Sequence, residues 1–111
     1  EYGRNLFRAA FGPYYATPVY NNFLAWAGYT EAAAQIAEGW AEKDRNKTAS
    51  AMSDEMIDEI AIIGNEDEIQ ARIQADADGG VDTHIIAPLA AKKEDVDRTF
   101  AAFTGTAFQF A

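Results

Sequence analysis

Two short apolar runs, separated by a helix and with nothing further to pair with, set the strongest constraint on how this chain folds. Residues 53–69, SDEMIDEIAIIGNEDEI, read as a short helix, a brief apolar strand, a glycine turn and a capped helix. Further on, residues 81–88, VDTHIIAP, read as a second buried strand. Strand, helix, strand in that spacing is a βαβ unit, and such units belong in parallel sheets. No other strand is found in the 111 residues, and two parallel strands do not make an independent sheet. The expectation is an α/β fold, mostly helical with about two parallel strands at 61–63 and 81–88. It is also an incomplete fold, in which residues 1–111 form a single partial domain.

Composition narrows the partners. Hydrophobic residues make up 49% of the chain, enough to build a core and too many for global disorder. Nine basic residues against eighteen acidic ones leave a net charge of −9. That field repels nucleic acid and anionic membranes, and neither is an expected partner. There is no cysteine, which removes disulfides, thiolate metal sites and cysteine nucleophiles. No apolar run reaches the roughly 20 residues of a membrane span, and no signal-peptide core is present. The expected location is cytoplasmic. The chain begins at Glu1 rather than Met, which fits part of a larger protein.

Helix signals are dense. Leu6, Phe7, Ala10 and Phe11 form a stripe that Gly12 and Pro13 are expected to stop. Thr17 and Pro18 open a second helix, with Val19, Tyr20, Phe23, Leu24 and Ala27 on one face and Gly28 as terminator. Thr30 opens a third, patterned by Ala33, Ile36, Ala37 and Trp40. Residues 42–47 read as a solvated polar turn. Ser53 caps a helix whose inward residues are Met56, Ile57 and Ile60. Asn65 and Glu68 have capping-box spacing before Ile69, Ile73 and Ala77, and Gly79–Gly80 ends that helix. A last helix spans 92–103, with Val96, Thr99, Phe100 and Phe103 on one face. Phe108 and Phe110 in the tail alternate like a strand or pack as an arm.

The search for a catalytic set is mostly negative. His84 is the only histidine. It is either a ligand or proton carrier pointing into a barrel or cleft, or a hydrogen-bonded core or interface residue, and without a second His or Cys the second reading is the stronger. No calcium-type loop is present, so no metal is expected. Asp54, Glu55, Asp58 and Glu59 read as helix-start electrostatics and a solvated face rather than a paired-carboxylate site. Tyr14, Tyr15 and Tyr20 with Phe11 form an aromatic cluster suited to a core, a subunit interface or a ligand pocket. Gly64 and Asn65 lie between strand and helix, where α/β folds bind phosphate through free backbone N–H groups, although Glu66, Asp67 and Glu68 crowd that position. Lys92 and Lys93 make the second such loop the better anion candidate. These four residues are the candidate cofactor contacts, and no catalytic residue is identified.

The order of motifs resembles the luciferase-like monooxygenase superfamily, which includes bacterial luciferase and the coenzyme F420-dependent reductases. The residues that carry it are Thr17 to Leu24 (TPVYNNFL), Ala27-Gly28-Tyr29, the run DEMIDE at 54–59, Ala61 to Gly64, Asp67-Glu68, and GVDTHIIAPL at 80–89. Asn65-Glu66 replaces the Thr-Pro common in the family and keeps the capping role. The resemblance covers roughly Leu6 to Phe103. It implies the C-terminal portion of a TIM (β/α)8 barrel, with 61–63 and 83–87 as its seventh and eighth strands and both loops on the active-site face. It also implies FMN or coenzyme F420 as cofactor and a small-molecule substrate for the parent enzyme. The family's main catalytic residues lie in earlier strands, and none transfers onto this sequence.

Two functions follow as expectations. The first is the C-terminal segment of a flavin- or F420-dependent oxidoreductase, inactive alone and self-associating through apolar faces left uncovered. The second is a complete small acidic helical interaction module with a basic protein partner. A stand-alone hydrolase or metal enzyme lacks a nucleophile, a base and ligands.

Overall fold

Seven α-helices account for all the regular secondary structure in this computed structural model, which describes residues 1–104, 109 and 110. The helices are α1 (Tyr2–Tyr15), α2 (Pro18–Trp26), α3 (Thr30–Ala41), α4 (Arg45–Ser50), α5 (Asp54–Ile60), α6 (Glu66–Asp78) and α7 (Lys93–Phe103). No strand occurs among the described residues. This overturns the expected α/β fold, with its two parallel strands and its place at the end of a TIM barrel. The two apolar runs are non-helical, as their composition demands. Residues 83–90 even alternate between exposed and half-buried, the period of an extended chain. A strand, however, is defined by the ladder it shares with a neighbour, and neither run has one. Apolar periodicity reports the local conformation and carries no information about the pairing.

The chain divides into two units, Glu1–Ala61 and Ile62–Ala111. The first has a core built around Leu24, Ile36, Met52, Met56 and Ile57, each withdrawn from solvent, with Phe7, Tyr15, Ala33 and Ala51 packed among them. Helices α2, α3 and α4 stack in sequence while α1 lies across them and touches α5. Asn21 fixes the corner: its Nδ2 donates to the carbonyls of Tyr15 at 3.0 Å and Ala33 at 2.7 Å, tying α1, α2 and α3 together. Gly39 permits a close approach of α3 and α4, because a Cβ there would lie 2.8 Å from both the backbone nitrogen and the Oγ1 of Thr48.

Several helix boundaries depart from the pattern. Helix α1 runs through Gly12 and Pro13 to Tyr15 instead of stopping. The Pro13 ring fits the helical φ and forfeits only one N–H donor, while Gly12 and Tyr15 are buried and hold the last turn in place. Helix α4 begins inside the expected polar turn, with Asp44 as its cap accepting from the Lys47 N–H at 2.9 Å. Thr17 does precede α2, but its hydroxyl donates back to the Tyr14 carbonyl at 2.6 Å rather than capping forward. Along α2 only Leu24 is buried. Val19 (76% exposed) and Phe23 (50%), both on the expected apolar face, are uncovered, and Trp26 (83%) joins them at the surface.

Three helices end in the same hydrogen-bonded turn. After α2, the N–H of Tyr29 reaches the carbonyl of Leu24; after α3, that of Asp44 reaches Gly39; after α6, that of Val81 reaches Asp76. This is the Schellman arrangement, and it demands a left-handed residue one position earlier. Gly28 and Gly80 fill that position with φ of 104° and 109°, and Lys43 fills it after α3 with φ of 59°.

In the second unit α6 starts at a complete capping box: the Asn65 side chain accepts from the Glu68 N–H, and the Glu68 carboxylate accepts from the Asn65 N–H. Ile73 is the buried residue of α6, with Ile69 and Ala77 partly covered. None of the face expected on α7 is fully buried.

Candidate functional site

The acidic run of α5 is a structural seam rather than an acid–base site. Arg4 grips Asp58 with two parallel bonds, Nε to Oδ1 at 2.9 Å and Nη2 to Oδ2 at 2.6 Å. One turn along α1, Arg8 donates to Asp54 at 2.5 Å and to the Met52 carbonyl at 2.9 Å. The hydrogen bond from Arg4 holds the Asp58 carboxyl below its ordinary pKa. Glu59 accepts from the hydroxyl of Tyr29. Asp58 is thereby held ionised at neutral pH, while Asp54 and Glu59 are each tied to a partner within the chain. The spacing of α5 alone does not reveal this, because the guanidinium partners lie some fifty residues earlier; two arginines at i, i+4 on α1 matching two aspartates at i, i+4 on α5 were the available signal.

The four residues expected to meet a cofactor fall in the second unit. At Gly64 and Asn65 the anion-binding position is already filled by the chain's own carboxylate. Glu68 Oε2 accepts from the Asn65 N–H at 2.8 Å and lies 2.6 Å from where a Gly64 Cβ would stand. Lys92 and Lys93 are exposed and face Glu94 at 3.8 Å and Asp97 at 2.5 Å. Among the described residues, no hydrogen bond or ion pair joins the two loops. A phosphate at either would have to displace a carboxylate first.

His84 is half-buried and stacks on Phe110 with ring centroids 5.2 Å apart. Both its ring nitrogens are shielded from solvent and have no hydrogen-bond partner among the described residues, unlike the hydrogen-bonded core histidine expected. Phe108, read with Phe110 as an alternating pair, lies outside the described residues. The aromatic cluster divides: Tyr15 is buried beside Phe7 and Phe11, and burial raises its phenol pKa, while Tyr14 and Tyr20 meet edge to face at the surface. No group of three or more His, Cys, Asp or Glu side chains among the described residues is arranged to hold a metal ion. No helix among them is long and apolar enough to cross a membrane.

Two clefts lie around α4. One open cleft of about 330 Å³ lies at the α3–α4 turn and is lined by Trp40, Lys43, Asp44 and Arg45. A second, of about 340 Å³, runs between α1 and α4 past Asn5, Arg8, Pro13 and Asn46 and shares Trp40 and Arg45 with the first. Sequence reading missed both, because the α3–α4 connection looks like a solvated charge cluster until α4 folds back across Gly39.

No curated protein and no solved structure matches the chain. A sequence model of the luciferase-like monooxygenase family does match, over residues 4–83, which run from the first turn of α1 through α5, the capping box and helix α6. With most of its length inside that match, the chain belongs to the luciferase-like monooxygenase family.

Proposed function

We propose that this chain is a non-catalytic helical part of a flavin- or F420-dependent oxidoreductase, inactive by itself. The family match over residues 4–83 carries the reading. The internal pairing supports it. Asp54, Asp58 and Glu59 are held by Arg8, Arg4 and Tyr29, and Asn65 by Glu68, so these four groups are occupied by partners within the chain. The residues present do not fit FMN or F420 at Gly64, Asn65, Lys92 or Lys93. Accordingly, no chemical step is assigned to them, and the grip on the cofactor lies with other residues of the working enzyme.

The test compares the native protein that contains these residues with the isolated 111-residue chain. The native protein is expected to retain FMN or F420 on purification, read by its visible absorbance, and the isolated chain to bind neither on equilibrium dialysis. A native protein that retains neither and turns over with neither would overturn the reading.

The same reading has the chain associating with itself. Helix α2 leaves Val19, Phe23 and Trp26 exposed, and no charged residue occurs from Thr17 to Thr30. On a molecule of net charge −9, that face is where two copies approach with least repulsion.

A second reading, a small helical interaction module with a basic protein partner, is favoured by the core that Glu1–Ala61 closes for itself. A monomer with uniformly protected amides by hydrogen exchange would select it.

A further inference from the structure

In so acidic a chain almost every cation is neutralised. Arg4, Arg8, Arg72 and Arg98 each face a carboxylate, and so do Lys47, Lys92 and Lys93. Among the described residues only Lys43 and Arg45 have no ion pair, and both line the cleft of about 330 Å³ at the α3–α4 turn. The third wall is the indole of Trp40, 44% exposed.

The backbone singles out the same place. Gly28 and Gly80 supply the left-handed residue that ends α2 and α6, whereas Lys43 occupies the equivalent position after α3 at φ 59°. A side chain in that conformation costs about 1 kcal/mol relative to glycine. A lysine there carries its charge against a backbone preference that the chain obeys at the two matching turns.

We propose that the α3–α4 turn is a binding site for a small aromatic carboxylate, with its ring against Trp40 and its carboxylate between the Lys43 ammonium and the Arg45 guanidinium. The volume suits one ring, at the small end of the range for ligand clefts. A planar guanidinium matches a carboxylate with two parallel N–H bonds, and an indole face accepts a flat ring. Asp44 sets the charge. Its Oδ1 holds the Lys47 N–H at 2.9 Å within the same turn, so a doubly charged phosphate meets repulsion that a monoanion meets less. That carboxylate also occupies the start of α4, so the site consists of side chains.

The test is a titration of the full chain carrying Trp26→Phe, which leaves Trp40 as the sole indole, with sodium benzoate as probe, acetate as the ringless anion and benzyl alcohol as the uncharged ring. Benzoate is expected to change Trp40 fluorescence saturably with a Kd on the order of 1 mM, and the two controls to bind at least about tenfold more weakly. Arg45→Gln and Lys43→Gln are each expected to weaken benzoate several-fold, and Arg72→Gln on α6 to leave it unchanged. Lys43→Gly keeps the turn and removes the ammonium; it should lose affinity as Lys43→Gln does, with helicity by circular dichroism intact. Absence of saturable binding, equal response to benzoate and benzyl alcohol, or undiminished binding in Arg45→Gln and Lys43→Gly would overturn the proposal.

Discussion

The guanidinium of Arg4 and the carboxylate of Asp58 meet fork to fork across 54 residues of sequence, at 2.9 and 2.6 Å. That single geometry fastens the first helix of the chain to the fifth, and it has a pH signature. The Asp58 pKa is depressed in the folded state, first by the hydrogen bond from Arg4. Its stabilising contribution is therefore complete above the ordinary value of 3.8 and is lost as the pH falls through the lower folded value. Asp58→Asn should flatten the acid limb of stability below about pH 4 while leaving neutral-pH secondary structure intact. Urea melts at stepped pH would show it, and an unchanged acid limb would remove Asp58 from that role.

Asn21 holds two carbonyls at once. Asn21→Ala leaves the Tyr15 carbonyl without this donor, removes the tie to the Ala33 carbonyl, and should cost about 1–3 kcal/mol. The exposed neighbour, Asn22→Ala, should change stability by less than about 0.5 kcal/mol. Equal effects in chemical denaturation would mean the corner is not set by this amide.

Gly12 and Gly39 both face Thr48, with opposite consequences. A Cβ on Gly39 meets the Thr48 backbone nitrogen at 2.8 Å, so Gly39→Ala should destabilise by about 1–3 kcal/mol. A Cβ on Gly12 has its nearest neighbour at 3.5 Å, an ordinary contact, so Gly12→Ala should gain about 0.5–1 kcal/mol from the restricted unfolded chain. Thermal melts of the two variants should move in opposite directions.

Self-association through α2 should depend on Trp26, which is 83% exposed. Trp26→Ser should lower the average mass seen by light scattering at high concentration, and added salt should raise it by screening the like charges. A wild-type chain that stays monomeric throughout would count against an α2 contact.

Helix identity was legible because its signals are local. Asn65 with Glu68, Ser53 before Asp54, Thr30 with Glu31, and Gly28 and Gly80 at helix ends all act within one turn. The sheet was not legible, since the apolar runs at 61–63 and 83–87 specify an extended backbone and say nothing of a partner. Orientation also escaped. Tyr20 and Leu24 share a helix face by spacing, yet Tyr20 is 48% exposed and Leu24 fully buried, which only the placement of α3 decides. Of the site residues, Gly64, Asn65, Lys92 and Lys93 were chosen for their loops. What those loops contain, a carboxylate beside each candidate donor, was half visible in Glu68, Glu94 and Asp97. The turn with two unpaired cations stayed hidden, because whether a charge lacks a partner depends on the whole fold.

The recurring six-residue closure at the ends of α2, α3 and α6 makes those boundaries self-contained. Each satisfies its last carbonyls with its own following amides. A surface laid over the chain, whether a second copy or another protein, finds helices already finished to length. It selects among positions of whole rods without winding or unwinding their ends, so docking here is an assembly of prefabricated parts.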